Sequence, residues 1–229
     1  MCLKSIDNQW DMDLQELLAK ARSYGYTKFG EMFSVKNMAK FIYNEFSLKI
    51  VHCYDLERSM LNVVEHLCNR QPILVPYDAD FNYEPGLKQG KRAHWAIICG
   101  FCMIDPIDMN DYMKHGKRIS RCNTIININN SRITLCPLST GHKNWWKTKQ
   151  YIKAKLSMDN LFVYARHGIS QYLQIWNYRR LCESNRNLQR VSEKLLPSNN
   201  CNHNKRMMIY PDDGRLDESL CNQFIFIYG

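Results

Sequence analysis

No run of apolar residues in this chain approaches the roughly 20 that a membrane-spanning helix needs, so a spanning helix is excluded. The first eleven residues alternate charged and apolar side chains where a secretory signal would carry an apolar block, so no leader is expected over that stretch. Ten cysteines are present, yet no CxxC pair with a matching second pair occurs. Cys99 and Cys102 are the one close couple, and they sit inside an apolar run. Neither a zinc site nor a disulfide framework is expected from that usage, which fits free thiols in the reducing cytoplasm. The sequence also has no internal repeat and no long basic arm.

What is present is enough material for one core. The 229 residues are 45% hydrophobic and 12% aromatic, which separates the chain from disordered sequences that cannot bury enough apolar surface to offset their ordering entropy. A formal charge of +9 predicts attraction to acidic surfaces. Its sign leaves open whether the partner is nucleic acid, lipid or polypeptide. The cations are scattered, as in Lys147-Thr148-Lys149 and Arg179-Arg180, and the plain reading is a solvated basic surface.

Along the chain, Asp13 with Glu16 opens a helix whose Leu14, Leu17, Leu18 and Ala21 recur at helical spacing until Gly25. Ser34 caps a second helix with Val35, Met38, Phe41 and Ile42 on one face. A strand follows at Leu48–Val51. Asp55 is expected to cap a third helix carrying Leu56, Met60, Val63, Val64 and Leu67, closed by Pro72 ahead of the strand Ile73-Leu74-Val75. The Asp-, Asn-, Pro- and Gly-rich loop "PYDADFNYEPGLKQGK" then leads into "RAHWAIICGF". From about 105 to 159 the text turns irregular, with "NTIININN" of low complexity and the Lys/Trp-rich "HKNWWKTKQ", and a flexible insertion is expected there. Order returns at the strand "LFVYARHG", followed by "SQYLQIW" and a helical segment through Leu181. A polar linker, "LPSNNCNHNK", precedes a last strand, "NQFIFIYG". Helices followed by strands imply one α+β domain over residues 1–229, with helices packed on one side of an antiparallel sheet.

One residue stands out. His94 is wedged between Lys91, Arg92 and Ala93 and the apolar run Trp95–Cys99, where a buried imidazole must find partners or cost free energy. It is either a hydrogen-bonded histidine at a strand end or a general base. Asp78 and Asp80 form a weak metal signal, since no histidine accompanies them, and are read as loop caps or substrate contacts. Trp95 is read as core. Trp145 and Trp146 among lysines could stack on bases, but no recognised nucleic-acid module surrounds them.

Several ordered blocks decide between the two readings of His94. "GEMFSV", "PILVPYDADFNYEP", "RAHWAIICG", "YLQIWNYRRLCESNRNL" and the closing "NQFIFIYG" resemble the actin maturation protease family, papain-like cysteine peptidases related to bacteriocin-processing leader peptidases. The resemblance covers most of the chain outside the insertion. It implies a papain-like fold, with the N-terminal helices packed on the antiparallel sheet, and a thiol protease of the aminopeptidase type. Such an enzyme removes the acetylated N-terminal residue of immature actin, with no cofactor and no metal. His94, in the A-H-W-A pattern, takes the role of catalytic base. The partners implied are the actin N-terminus and a profilin-type actin adaptor, with neither nucleic acid nor membrane.

The family's nucleophile lies in a Q-x-G-P-x-C-G motif that occurs nowhere in the 229 residues. Cys2 is followed by Leu3 and lacks the preceding glutamine. The expectation is an N-terminally incomplete peptidase domain, inactive as given, with its nucleophile encoded upstream of Met1. The alternative is a catalytically dead module that binds actin without cutting it. For the residue that orients the base, His167 stands at the end of a later strand but is read as a solvent-facing turn residue, and Asp105 is a candidate by proximity in sequence alone.

Overall fold

The computed structural model describes residues 13–106, 125–128, 131–135, 150, 152–168, 172–195 and 214–229. Cys2, the Trp145-Trp146 segment and the "LPSNNCNHNK" linker lie outside the described residues, apart from Leu195 just ahead of the linker. The chain opens with two amphipathic helices, α1 (Leu14–Ser23) and α2 (Val35–Phe46). Ser34 caps α2, its hydroxyl accepting from the Asn37 N–H, and Ser47 ends that helix in a left-handed conformation. Asp13 occupies the N-cap position of α1 without a side-chain cap bond. Lys20 of α1 pairs with Glu45 of α2 at 2.8 Å.

β1 (Lys49–Tyr54) follows, then α3 (Met60–Cys68), β2 (Ile73–Asp78) and the long β3 (Ala93–Pro106). Asp55 does not cap α3 as the sequence suggested. Its backbone is left-handed, its carboxylate accepts from the Arg58 N–H, and the resulting turn delays the helix to Met60. β4 (Ile125–Ile128) and β5 (Ser131–Leu135) form a hairpin within the expected flexible insertion. β6 (Leu161–His167), β7 (Gln174–Asn177), α4 (Tyr178–Arg186), a short 3-10 turn (Glu193–Leu195) and β8 (Gln223–Tyr228) follow. Asn177 caps α4 through its side-chain oxygen, and α4 runs beyond the expected Leu181.

All strand pairs in the eight-stranded sheet are antiparallel, with the order β1-β8-β2-β3-β5-β4 and β6-β7 attached to β3. Ala96 and Ile98 of β3 pair with both β2 and β6, while Cys102 and Met103 pair with both β5 and β6. β2 and β5 therefore follow one another along one edge of β3, and β6 takes the other.

Strand alternation sends side chains to two cores, which corrects the expectation of helices on one side. Ile73, Val75 and Tyr77 of β2 join Ala96, Ile98, Phe224 and Phe226 beneath Val63, Val64 and Leu67 of α3 and Leu181 of α4. The intervening Leu74, with Ile225 and Ile227, packs against Val35, Ile42 and Phe46 of α2 and against Leu188 and Leu216. Among the described residues no helix is long and apolar enough to cross a membrane.

Gly90, in the loop between β2 and β3, packs directly on backbone. A Cβ there would lie 2.7 Å from the Arg190 carbonyl oxygen, and the residue's φ is +87°. Gly90→Ala is expected to cost about 2 kcal/mol or more, from the clash and the left-handed backbone together. Urea unfolding measures it, and a loss below about 0.5 kcal/mol would show that the loop is not seated as described.

Candidate active site

His94 enters the structure as the second residue of β3. The register sets Tyr77 opposite His94 and Asp78 opposite Ala93. Because side chains alternate along a strand, His94 shares a face with Ala96 and Ile98 and lies on the α3/α4 side. Trp95 points the other way, half-buried against the second core, and its Nε1–H donates to the Met32 carbonyl at 2.8 Å. The segment before α2 is thereby tied to the strand that carries His94.

The loop over His94 is organised by two carboxylates. Asp78 is fully buried and accepts from the backbone N–H groups of Lys88, Gly90 and Arg92 and from the Asn187 side-chain amide. Its own backbone N–H and carbonyl are both held by the Ser184 hydroxyl at 2.9 Å. Asp80 closes a tighter turn by accepting from the Asn82 and Glu84 N–H groups at 2.8 and 2.9 Å. Both residues act as loop caps, one of the roles read from the sequence.

Within that turn Tyr83 adopts a left-handed backbone (φ 61°), and its carbonyl accepts from the Tyr77 hydroxyl at 2.9 Å. The Tyr83 ring is thereby placed edge-on to His94, with centroids 5.8 Å apart, and nearly flat against His167 at 5.3 Å. The Arg92 guanidinium lies over the rings of Phe81 and Tyr83. Phe81, Leu87, Lys88, Gln89, Lys91 and Arg92 line an open groove on this loop.

His94 is half-buried, and among the described residues no hydrogen bond holds its ring. Tyr77 and Tyr83 flank it. Burial, then the Arg92 charge and His167, hold its pKa below the usual imidazole range, against a smaller opposing pull from Asp78. The ring is thus a neutral proton acceptor at pH 7.

His167 is not a solvent-facing turn residue. It ends β6, pairs in register with Ala96, and is 4% exposed. The strand's inward positions Leu161, Val163 and Ala165 continue into it, so the alternation of "LFVYARH" carried the signal. Asp105 is excluded as an orienter: it lies eleven residues along β3 from His94, roughly 30 Å or more in an extended strand.

Five of the described cysteines are held away from the thiolate form. Burial pushes the thiols of Cys53, Cys99, Cys102 and Cys221 up, and that of Cys182 to about 12. A second cleft, lined by Ser34, His52, Arg215, Asp217 and Gln223 among others, shares no residue with the His94 cluster. We place the candidate site at His94 because the buried imidazoles and the strained loop converge there.

Comparison with known proteins follows the same residues. Residues 1–102 match the family model "Actin maturation protease-like, C-terminal domain". A curated protein from Danio rerio named "Actin maturation protease" is 32% identical over 188 residues, covering 78% of this chain and 53% of that protein. Proteins of the same name from Mus musculus (29%, covering 76% and 44%) and Xenopus tropicalis (28%, covering 98% and 65%) also match. The chain spans about half the length of the first of these relatives. No solved structure matches it.

A pH dependence follows from three imidazoles. His66, whose Nε2 lies 3.1 and 3.0 Å from the carbonyls of Pro72 and Ile227, is held below the usual range by burial, as are His94 and His167. Each binds its proton less readily folded than unfolded. Well above about pH 6.5 all are neutral in both states; as pH falls through that value the unfolded chain gains protons first. Stability should therefore fall as pH drops from about 7 to about 5. The urea midpoint measures this, and a midpoint that rises over that window contradicts the assignment.

Proposed function

On the premise that this chain is related to the actin maturation proteases through the C-terminal domain of that family, we propose that it supplies the general base, His94, of a cysteine peptidase that trims the N-terminus of actin. The observation that carries the reading is the placement of a neutral, half-buried imidazole at the start of β3, under a loop fixed by a buried carboxylate, within the block that matches the family.

A cysteine thiol presented to His94 loses its proton to the imidazole, and the thiolate attacks the carbonyl carbon of the terminal acylated residue. The tetrahedral adduct collapses as His94 returns the proton to the departing amine, leaving the acylated residue on sulfur. Water, deprotonated by the same imidazole, then cleaves that thioester. A thiolate beside the ring would raise the His94 pKa from its present low setting, since an opposite charge favours the imidazolium.

The nucleophile belongs, in this reading, to the part of the family that this chain does not span: the Q-x-G-P-x-C-G motif is absent from the 229 residues, and the described thiols are all held protonated where a shift is resolved. The free cysteines agree with a cytoplasmic setting. The loop cations Lys88, Lys91 and Arg92 suit an acidic peptide, and a profilin-type adaptor forms no part of the reading. The raised thiols of Cys53, Cys99, Cys102, Cys182 and Cys221 favour one second reading, a module that binds actin without cutting it.

The test uses the longest protein product of the gene with an acetylated N-terminal actin peptide, followed by mass spectrometry. Loss of one terminal residue is expected. His94→Ala should lower turnover by about a thousandfold or more and leave peptide binding in place. Wild-type turnover in that variant would remove His94 from the mechanism; binding with no cleavage by either protein would select the second reading.

A further inference from the structure

The proposed chemistry leaves His167 without a use, and its surroundings are unusual for a packing residue. Its ring is stacked between Tyr83 (5.3 Å, 24° between planes) and Trp176 (6.4 Å, 12°). Both ring nitrogens are buried, and among the described residues neither makes a hydrogen bond of acceptable geometry. The Gln174 side chain lies nearby, its Oε1 accepting from Trp176 Nε1 at 2.8 Å and its Nε2 donating to the Asn82 carbonyl. A leucine or phenylalanine would fill the slot without orphaned nitrogens, so packing alone does not account for an imidazole here.

The slot adjoins His94. β6 pairs with β3 so that His167 lies opposite Ala96, two residues along the same strand face from His94, and the Tyr83 ring touches both imidazoles. Among the described residues no carboxylate is hydrogen-bonded to the base, and the oxygens of Asp78 are engaged by four N–H donors.

We propose that His167 is a positioning residue of the same site, a second imidazole set beside His94 through the shared Tyr83 ring so that the two rings do not carry protons together. The proposal rests on the assignment of His94 as base. The groups that face the pair are Arg92 from the loop, Tyr77 and Asp78 from β2, Tyr83 from the loop and Gln174 from β7. With Arg92 beside the pocket, two imidazolium charges together are disfavoured, so the two rings titrate as a coupled pair.

The experiment is a pH titration of the histidine ring nitrogens by proton–nitrogen NMR on this chain, as wild type, His167→Gln and His94→Gln. In the wild type, the His94 resonances should show a second inflection at the His167 midpoint. In His167→Gln that inflection should vanish and the His94 midpoint should rise by about half a pH unit or more. A single-site His94 curve with the same midpoint in both proteins overturns the proposal and makes His167 a packing residue. Should His167→Gln not fold, the wild-type curve and the His94→Gln variant decide, the latter by loss of the His94 inflection from the His167 curve. These readings do not depend on cleavage: absent coupling defeats the pairing alone, whereas coupling alongside an active His94→Ala enzyme defeats the base assignment.

Discussion

A buried carboxylate governs the site. Asp78 ends β2 with no exposed surface and gathers three backbone N–H groups from ten to fourteen residues further on, together with the Asn187 amide. Left unbonded, those donors would each carry a desolvation cost, so the loop from 79 to 92 closes over one fixed point. Everything near His94 inherits that geometry. The Tyr83 roof, the Arg92 charge and the start of β3 are set by where the loop returns.

The carboxylate is in turn held by α4, a helix whose buried positions are unusually polar. Ser184 brackets the Asp78 backbone, and the Asn185 amide bridges the carbonyls of Pro76 and Gln223, joining β2 to β8 from below. These side chains explain why so hydrophilic a segment as "YRRLCESNR" is packed against the sheet: its polar groups complete the backbone bonding of the two strands that converge on the site. Fold and site share one hydrogen-bond network.

The sequence exposed its helices and most of its strands because their apolar spacing was clear, as in α2 with its Ser34 cap and β6 with its alternation. His94 was legible too, as an imidazole out of place in an apolar strand. Two features were not. Which face of the sheet a helix covers depends on long-range pairing, and one-dimensional periodicity cannot choose between the two cores. The irregular insertion hid a hairpin because the strand Ile125–Ile128 lies within an asparagine-rich run that reads as low complexity. His167 is a different case: the alternation of β6 points inward through its last residue, but a histidine before glycine looks like the start of a turn.

A half-buried imidazole of lowered pKa beside raised thiols describes a site equipped to accept a proton, with no activated sulfur at Cys53, Cys99, Cys102, Cys182 or Cys221. The most direct test is residue-resolved alkylation by iodoacetamide at pH 7 of the longest gene product, with and without His94→Ala. The account predicts that one thiol outside these 229 residues reacts fast and loses that reactivity in the variant, while Cys53, Cys99, Cys102, Cys182 and Cys221 stay slow in both. Fast, His94-dependent labelling of any of those five would contradict it.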